Sequence, residues 1–290
     1  MLVSVGDRRS QRRIRRSVSE LGPEGRIRLR RLLSSTRFVV LPTSEAIPRI
    51  AARFAPGSIP IAVACAHELG IDQTIAVAEV LATKGHDVGV HLAARQVRTA
   101  RHLDEVLVRL ARRGIGRVLV VRGRGAKAGL FDSAVALLAA LREYHNRPED
   151  VGTVAEVRSG RTRDAESRRL LDRAALASYV AVRATPNVPQ LLSWTAEMRV
   201  RGLLVPIEVG VPGVVRFEEL AKSLPGFGAG VDRRRSVWFD PTDMTAAIAR
   251  DQNLEYLDVR SLRMETFNHL DATAAWRQQV YDLAAIPKAG

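Results

Sequence analysis

Three glutamates lie within or just beyond apolar segments of the kind that form buried strands. They are Glu68 after residues 61–65, Glu156 in residues 152–157 and Glu208 in residues 203–209. A carboxylate in an apolar strand is costly unless it is paired or protonated, so Glu156 and Glu208 are candidates for acid–base chemistry. The alternative is a structural ion pair, for which Arg158 and Arg183 are available partners.

A basic, glycine-rich segment follows the apolar run 118–121. It contains Arg122, Gly123, Arg124 and Lys127 and ends at Gly129. Glycines allow backbone N–H groups to approach an anion closely, and Arg124 or Lys127 could neutralise a phosphate there. The spacing departs from the dinucleotide pattern G-x-G-x-x-G, so an ordinary flexible loop remains the alternative. A second arginine-rich segment, 158–169, offers either another anion site or a solvated basic face.

The histidines and the single cysteine do not form a metal-binding pattern. His67 and His91 fall at the ends of predicted strands, and no two histidines have the spacing of a helical zinc site. Cys65 lies in an apolar run, which favours a buried thiol, and it has no second cysteine with which to form a disulfide. The nucleophile motif G-x-S-x-G is absent. We therefore expect no bound metal and no serine nucleophile of that type.

Strands and helices alternate along the chain, and this alternation must position the candidate residues. The predicted strands are 37–41, 59–65, 87–91, 117–121, 152–157, 179–183, 203–209 and 255–259. Amphipathic segments lie between them, such as 99–113, in which apolar residues recur at three- and four-residue steps. This α/β pattern predicts a single (β/α)₈ TIM barrel, with a doubly wound open sheet as the alternative. In either fold the functional site lies at the carboxyl ends of the strands.

Positive charge is concentrated at the N-terminus. Of the net charge of +14, half lies in residues 1–31, where ten arginines are accompanied by three acidic residues. This composition predicts a flexible basic arm at 1–31, either disordered or a loosely docked helix, and a barrel domain at 32–290, with contact to a polyanion as the less favoured role of the arm. The longest apolar run, 134–141, is far shorter than the roughly 18 residues that span a bilayer. With no secretory signal either, we expect a cytoplasmic protein without a membrane partner.

Six short segments share the order and spacing of a known family's motifs. They are residues 70–74 (GIDQT), His91-Leu92, residues 114–123 (GIGRVLVVRG), Glu156-Val157, residues 207–214 (IEVGVPGV) and Ser261-Leu262. Through them the chain resembles the methylenetetrahydrofolate reductase family over about residues 37–283. The resemblance implies a barrel enzyme that reduces 5,10-methylenetetrahydrofolate to 5-methyltetrahydrofolate.

Several positions depart from the family's pattern. The glutamate of the family's first strand, which helps to activate the folate, is missing from residues 38–42. Arg124 replaces the aspartate of R-G-D, Arg158 replaces the histidine after E-V, and Arg183 replaces the glutamine of strand six. These losses imply a divergent member without FAD, in which NADH or NADPH transfers hydride directly to the folate.

The resemblance and the residue types together suggest roles for individual side chains. We expect Glu208, or in second place Glu68, to be the general acid that assists opening of the folate's imidazolidine ring. Substrate binding is assigned to Glu156, Arg183 and His67, and cofactor binding to His91, Arg122, Gly123, Arg124, Lys127 and Arg158. Two alternatives remain open: an FAD-dependent reductase of the same family, and a non-catalytic barrel whose arm binds nucleic acid or an acidic partner. A reduced folate is the expected partner, whereas nucleic acid is not.

Overall fold

The fold is a closed barrel of eight parallel strands. A computed structural model describes residues 8–124, 129–158, 160, 163–228 and 238–286. The barrel strands are β1 (Arg37–Val40), β2 (Ile61–Val63), β3 (Val88–Ala93), β4 (Arg117–Val121), β5 (Asp150–Ala155), β6 (Tyr179–Val182), β7 (Ile207–Pro212) and β10 (Val259–Glu265). Between the last two, β8 (Val215–Arg216) and β9 (Trp238–Phe239) form a separate antiparallel pair. The barrel order is β1-β10-β7-β6-β5-β4-β3-β2, and β1 also pairs with β2. The predicted (β/α)₈ barrel is confirmed, and the open sheet is excluded.

Helices precede the barrel and connect most of its strands. They are α1 (Arg8–Ser19), α2 (Gly22–Ser34), α3 (Ala46–Arg53), α4 (Gly70–Thr83), α5 (Ala100–Arg112), α6 (Ala134–Leu141), α7 (Arg163–Ala174), α8 (Val188–Val200), α9 (Phe217–Ser223), α10 (Thr242–Arg250) and α11 (Leu270–Leu283). The 3-10 segments Ala94–Gln96 and Pro225–Gly228 lie in the connections. Within the described part of the chain, no helix combines the length and the apolar character that crossing a membrane requires.

Helix α5 shows how local sequence determines an element and its packing. The Thr99 side chain accepts a hydrogen bond from the backbone N–H of His102 and caps the first turn. Leu103, Val106, Leu107 and Leu110 are all buried. The apolar stripe predicted from their spacing therefore packs inward, whereas Arg101 and Arg112 remain exposed on the other side.

The strands pack two different layers of side chains. On β4, Val118 and Val120 belong to the apolar core shared with the surrounding helices. Leu119, between them, packs instead with Tyr179 and Ala181 in a small separate cluster. Because side chains alternate along a strand, this second cluster lies inside the barrel. Much of the interior is not apolar, and the charged residues there decide which predicted site residues are accessible.

The last two barrel strands begin later than predicted, at Ile207 rather than residue 203 and at Val259 rather than residue 255. The apolar residues 203–206 instead connect α8 to β7, and Pro206 has no N–H with which to join a sheet. Residues 254–258 form turns that end at Asp258, which has a φ of 48°. The shift moves Glu208 from the predicted carboxyl end of its strand to the second residue at the amino end.

The predicted flexible arm at 1–31 is wrong over the residues that the structure describes, because residues 8–34 form α1 and α2. Ile14 and Val18 of α1 are 0% and 1% exposed. Leu29, Leu32 and Leu33 of α2 are also fully buried. Helix α1 packs on α10 and α11, and α2 packs on α10, α11 and β10. These few apolar residues lie on one face of each helix, whereas arginine dominates the overall composition. Composition alone therefore does not predict that the helices pack on the barrel.

Candidate functional site

The amino half of the barrel interior contains a closed network of charged groups around Arg117. One terminal nitrogen of Arg117 contacts Asp150, and its Nη2 lies 2.7 Å from Oε1 of Glu208. The guanidinium also stacks 3.9 Å from the centre of the Tyr179 ring. Gly152 leaves room for that ring, since a Cβ at this position would lie 2.2 Å from Cζ of Tyr179. The network ties β4, β5, β6 and β7 together.

Glu208 belongs to this network, and its predicted place at the catalytic end of the barrel is wrong. It is 8% exposed and lies at the amino end of β7. Its Oε1 accepts hydrogen bonds both from Arg117 and from the hydroxyl of Ser261, at 2.7 and 3.0 Å. A carboxylate held by these donors and covered by the barrel stabilises an arginine, and it does not face a substrate at the other end.

His91 is also enclosed by the barrel, so its predicted place at a strand end beside the cofactor is wrong. Strand β3 continues past it to Ala93, and His91 is 8% exposed. Its Nε2 lies 3.4 Å from Nη1 of the buried Arg263. Burial and the charge of Arg263 lower the pKa of His91 to about 3, so the ring is neutral at physiological pH. The adjoining cavity, lined in part by Arg37, has space for about one water molecule.

The carboxyl ends of β5 and β6 bring together three predicted site residues. Glu156 follows β5 directly, and its two oxygens lie 2.8 Å from Nη1 of Arg183 and 2.6 Å from Nη2 of Arg158. Burial opposes ionisation of Glu156, but the hydrogen bonds and charges of the two arginines outweigh it and hold the pKa of this carboxyl below its usual value. Glu156 is therefore ionised near neutral pH and orients two arginines whose side chains remain about half exposed.

The segment after β4 places two further arginines at this end of the barrel. Arg122 and Arg124 are exposed, and neither has an ion-pair partner among the described residues. Gly123 between them has a φ of +81°, and a Cβ there would lie 3.0 Å from Cβ of Ala93. A glycine is needed both for the backbone conformation and for this close approach. Lys127, the remaining predicted phosphate ligand, lies outside the described residues.

Arginines thus follow four neighbouring strands at the carboxyl end of the barrel. We call the following set the arginine arc: Arg95 after β3, Arg122 and Arg124 after β4, Arg158 after β5, and Arg183 after β6. Arg95 is not among the predicted site residues, because the predicted third strand ended at His91. The backbone N–H of Arg95 donates to the carbonyl of Arg122 at 3.1 Å, which ties the segments after β3 and β4 together. Several cations at one strand edge form a suitable site for an anionic ligand.

His67 and Glu68 lie elsewhere on the same end of the barrel. Both are exposed in the turn between β2 and α4, and neither side chain has a hydrogen-bond partner among the described residues. Strands β3 and β4 separate this turn from Glu156 and Arg183. The structure therefore does not bring His67 directly beside the other two predicted substrate ligands. Cys65 is half-buried, donates to Oε1 of Gln96 at 3.0 Å, and has its pKa raised by burial.

Glu265 is a carboxylate at the carboxyl end that the sequence analysis missed. It ends β10, opposite Val39 of β1 and Pro212 of β7. Its Oε1 lies 2.9 Å from Nη2 of Arg263. Placing the eighth strand at 255–259 left this residue outside every predicted strand end. Within the described ranges, no three His, Cys, Asp or Glu side chains are arranged to hold a metal ion.

Comparison with known proteins does not assign a family. No protein-family model matches the chain, and no curated protein is significantly similar to it. A solved structure from Burkholderia cenocepacia, assigned as a phosphonomutase, is 15% identical with a TM-score of 0.48, covering 89% of this chain and 99% of its own. Another from Toxoplasma gondii, assigned as a deoxyribose-phosphate aldolase, is 14% identical with a TM-score of 0.44, covering 89% and 98%. Similarity at this level carries no conclusion about activity, and the barrel rests on the strand order itself.

Proposed function

We propose that the carboxyl end of the barrel binds NADH and a reduced folate, and that it reduces 5,10-methylenetetrahydrofolate to 5-methyltetrahydrofolate without flavin. The observation that carries the proposal is the arginine arc. Both ligands are anionic, the dinucleotide through its pyrophosphate and the folate through its carboxylates. Guanidinium groups bind both kinds of oxyanion in bidentate geometry. The choice of folate as the substrate rests on the sequence resemblance.

The dinucleotide is assigned to the arginines that follow β4 and β5. Arg122 and Arg124 follow β4, Arg158 follows the adjacent strand β5, and all three are exposed cations. Their three guanidinium groups fit a pyrophosphate, which needs several charged donors. NADH supplies the hydride when it is bound, and the arginines hold it in place. NADPH is the alternative donor, and the same positions would accept it.

The folate is assigned to Arg183. Arg183 contacts Glu156 through Nη1, and its side chain is 43% exposed, so further N–H groups are available to a carboxylate. Glu156 has both oxygens engaged by arginines, and its role is to orient them. This differs from the direct hydrogen bonding to substrate that the sequence suggested for Glu156.

The role of the general acid is reassigned from Glu208 to Glu68. Glu208 is not proposed again, because it lies in the amino half of the barrel and is held by Arg117 and Ser261. Glu68, the second residue suggested by the sequence, lies at the carboxyl end and is exposed. We therefore assign to Glu68 the proton that assists opening of the imidazolidine ring, after which hydride adds to the exocyclic carbon of the folate. The carboxylate is then reprotonated from solvent.

Turnover is tested by mixing the full-length protein with NADH, or NADPH, and 5,10-methylenetetrahydrofolate. We expect one NADH consumed for each 5-methyltetrahydrofolate formed, with colourless protein and no added FAD. Glu68→Gln should lower kcat by about 10²–10⁴-fold, the usual contribution of a general acid. Glu105→Gln is the matched control, because Glu105 is exposed on the outer helix α5 and pairs only with Arg101 among the described residues. Absence of product with both dinucleotides would overturn the proposal, and stoichiometric bound flavin would replace it with the flavin-dependent reaction.

Ligand binding is tested separately from turnover. Arg183→Gln should raise the KM for the folate, and Arg158→Gln should raise the KM for NADH. An expected change of about tenfold corresponds to one charge-assisted contact. Arg101→Gln, on α5, removes the same charge away from the site and should leave both KM values unchanged. Equal effects of all three substitutions would show that net charge, and not the arginine arc, governs binding.

A further inference from the structure

Helix α1 buries its apolar side in the protein and presents arginines to solvent. Ile14 and Val18 are fully buried, whereas Arg8, Arg12 and Arg15 are exposed. Residues spaced by four and three positions lie on one side of a helix, so these three arginines form a single row. We call Arg8, Arg12 and Arg15 the arginine face of α1.

The positive charge of this face is not used to hold the helix in place. Arg13 does that through Asp240 and Asp243, and Arg16 pairs locally with Glu20, four residues further along. The helix RRSQRRIRRSVS contains no acidic residue. Arg8, Arg12 and Arg15 make no ion pair with any other residue that the structure describes.

We propose that the arginine face of α1 is a docking surface for the phosphate backbone of double-stranded nucleic acid, bound without sequence preference. A helix rises about 1.5 Å per residue, so Arg8 and Arg15 are about 10.5 Å apart along the axis. One strand of a duplex presents a phosphate about every 3.4 Å along its axis, which gives about three phosphates over the same length. Three guanidinium groups thus meet three phosphates, each with bidentate geometry available.

Features of α1 favour a duplex over other anionic partners. An interfacial membrane helix inserts its apolar side into the lipid, but here Ile14 and Val18 are already covered by protein. Binding of single strands relies on aromatic side chains that stack on bases, and α1 has none. An acidic protein segment lacks the fixed charge spacing of a duplex. This inference revises the sequence-based expectation that nucleic acid is not a partner, and it is independent of the reductase proposal.

The test is fluorescence anisotropy of a labelled, mixed-sequence DNA duplex titrated with full-length protein over a series of salt concentrations. Release of counterions predicts a slope of log K against log [salt] of about −0.9 per phosphate contacted. Replacing Arg8, Arg12 and Arg15 together with Gln should make the slope less steep by about 2.7. The same three residues replaced by Lys should retain most of the slope, because Lys keeps the charge. Double-stranded RNA is measured in parallel, and binding of either duplex supports the proposal.

The matched control replaces Arg101, Arg112 and Arg142 with Gln. These exposed arginines lie away from α1, and the control loses the same total charge. Glutamine is a good helix former, so circular dichroism should be unchanged; if the triple variant does not fold, Arg12→Gln alone should still change the slope by about 0.9. The proposal is overturned by three outcomes: no duplex binding at low salt, equal effects of the two triple variants, or tighter α1-dependent binding to poly-glutamate or anionic vesicles than to the duplex.

Discussion

In the amino half of the barrel, Arg117 contacts Asp150, Glu208 and the Tyr179 ring, whereas at the carboxyl end Arg122 and Arg124 have no ion-pair partner among the described residues. The two regions are lined by similar residue types in the same barrel. They differ in whether the charges are already satisfied by the protein. Charges that the protein already pairs inside the barrel are not available to a ligand, whereas exposed cations without partners are.

This difference explains why a glutamate within an apolar strand is weak evidence for catalysis. Glu208 and Glu156 both lie in or next to apolar strands, and both contact arginines. Only Glu156 lies at the end of the barrel where a ligand could reach the same arginines. The position of a carboxylate along its strand therefore matters more than its presence there.

The largest effect is expected for Glu208→Gln. Removing one member of an enclosed ion pair costs about 3–5 kcal/mol, and we expect the lower end of that range here because Arg117 keeps its contact with Asp150. Glu156→Gln, at the half-exposed end, should cost less than about 1 kcal/mol. Both values are measured by urea unfolding. Should Glu208→Gln lose turnover while keeping its stability, the distinction between the two regions would be wrong.

A similar contrast between enclosed and exposed side chains holds within the N-terminal helices. Ile14→Ala should lower the free energy of unfolding by about 3 kcal/mol, because a fully buried side chain is replaced by a cavity. Ile27 on α2 is 56% exposed, so Ile27→Ala should change stability by less than about 0.5 kcal/mol. Equal and small changes for both, by thermal or urea unfolding, would restore the view of residues 1–31 as a solvated arm.

A smaller, pH-dependent effect is expected from His91. Burial holds its pKa at about 3 in the folded protein, against 6.5 in an exposed histidine, so between these values the unfolded state binds the extra proton. The free energy of unfolding is therefore highest, as far as His91 affects it, above about pH 6.5. It decreases as the pH falls towards 3, by roughly 2 kcal/mol near pH 5. His91→Gln should reduce that loss. Burial also lowers the pKa of His86, so His86→Gln is measured in parallel to separate the two contributions.

Glu156 responds to acid in a different pH window from His91. Its pKa lies below 4.5 because of Arg183 and Arg158 despite the opposing effect of burial. Its contribution is therefore present above about pH 4.5 and is lost only as pH falls through the lower folded value. Between about pH 6.5 and 4.5, the free energy of unfolding should therefore change because of His91 and not because of Glu156.

Local sequence patterns were sufficient to predict the fold class and the approximate positions of most strands. The run Val118-Leu119-Val120-Val121 predicted β4 closely, and the spacing of Leu103, Val106, Leu107 and Leu110 predicted the buried face of α5. The basic character of the segments after β4 and β5 was also visible. Such features depend on local periodicity and composition, which a single sequence contains.

Which candidate residues share a site depends on the tertiary structure. The start of β7 at Ile207 places Glu208 at the amino end, and the start of β10 at Val259 brings Glu265 to the carboxyl end. Whether α1 is an arm or a packed helix depends on α10 and α11, which lie more than two hundred residues away in the chain. The partners of Arg117 likewise come from three other strands. Strand register depends on how the complete barrel closes. The ion-pair partners of each charged residue come from strands that are distant in sequence, so local sequence does not predict them.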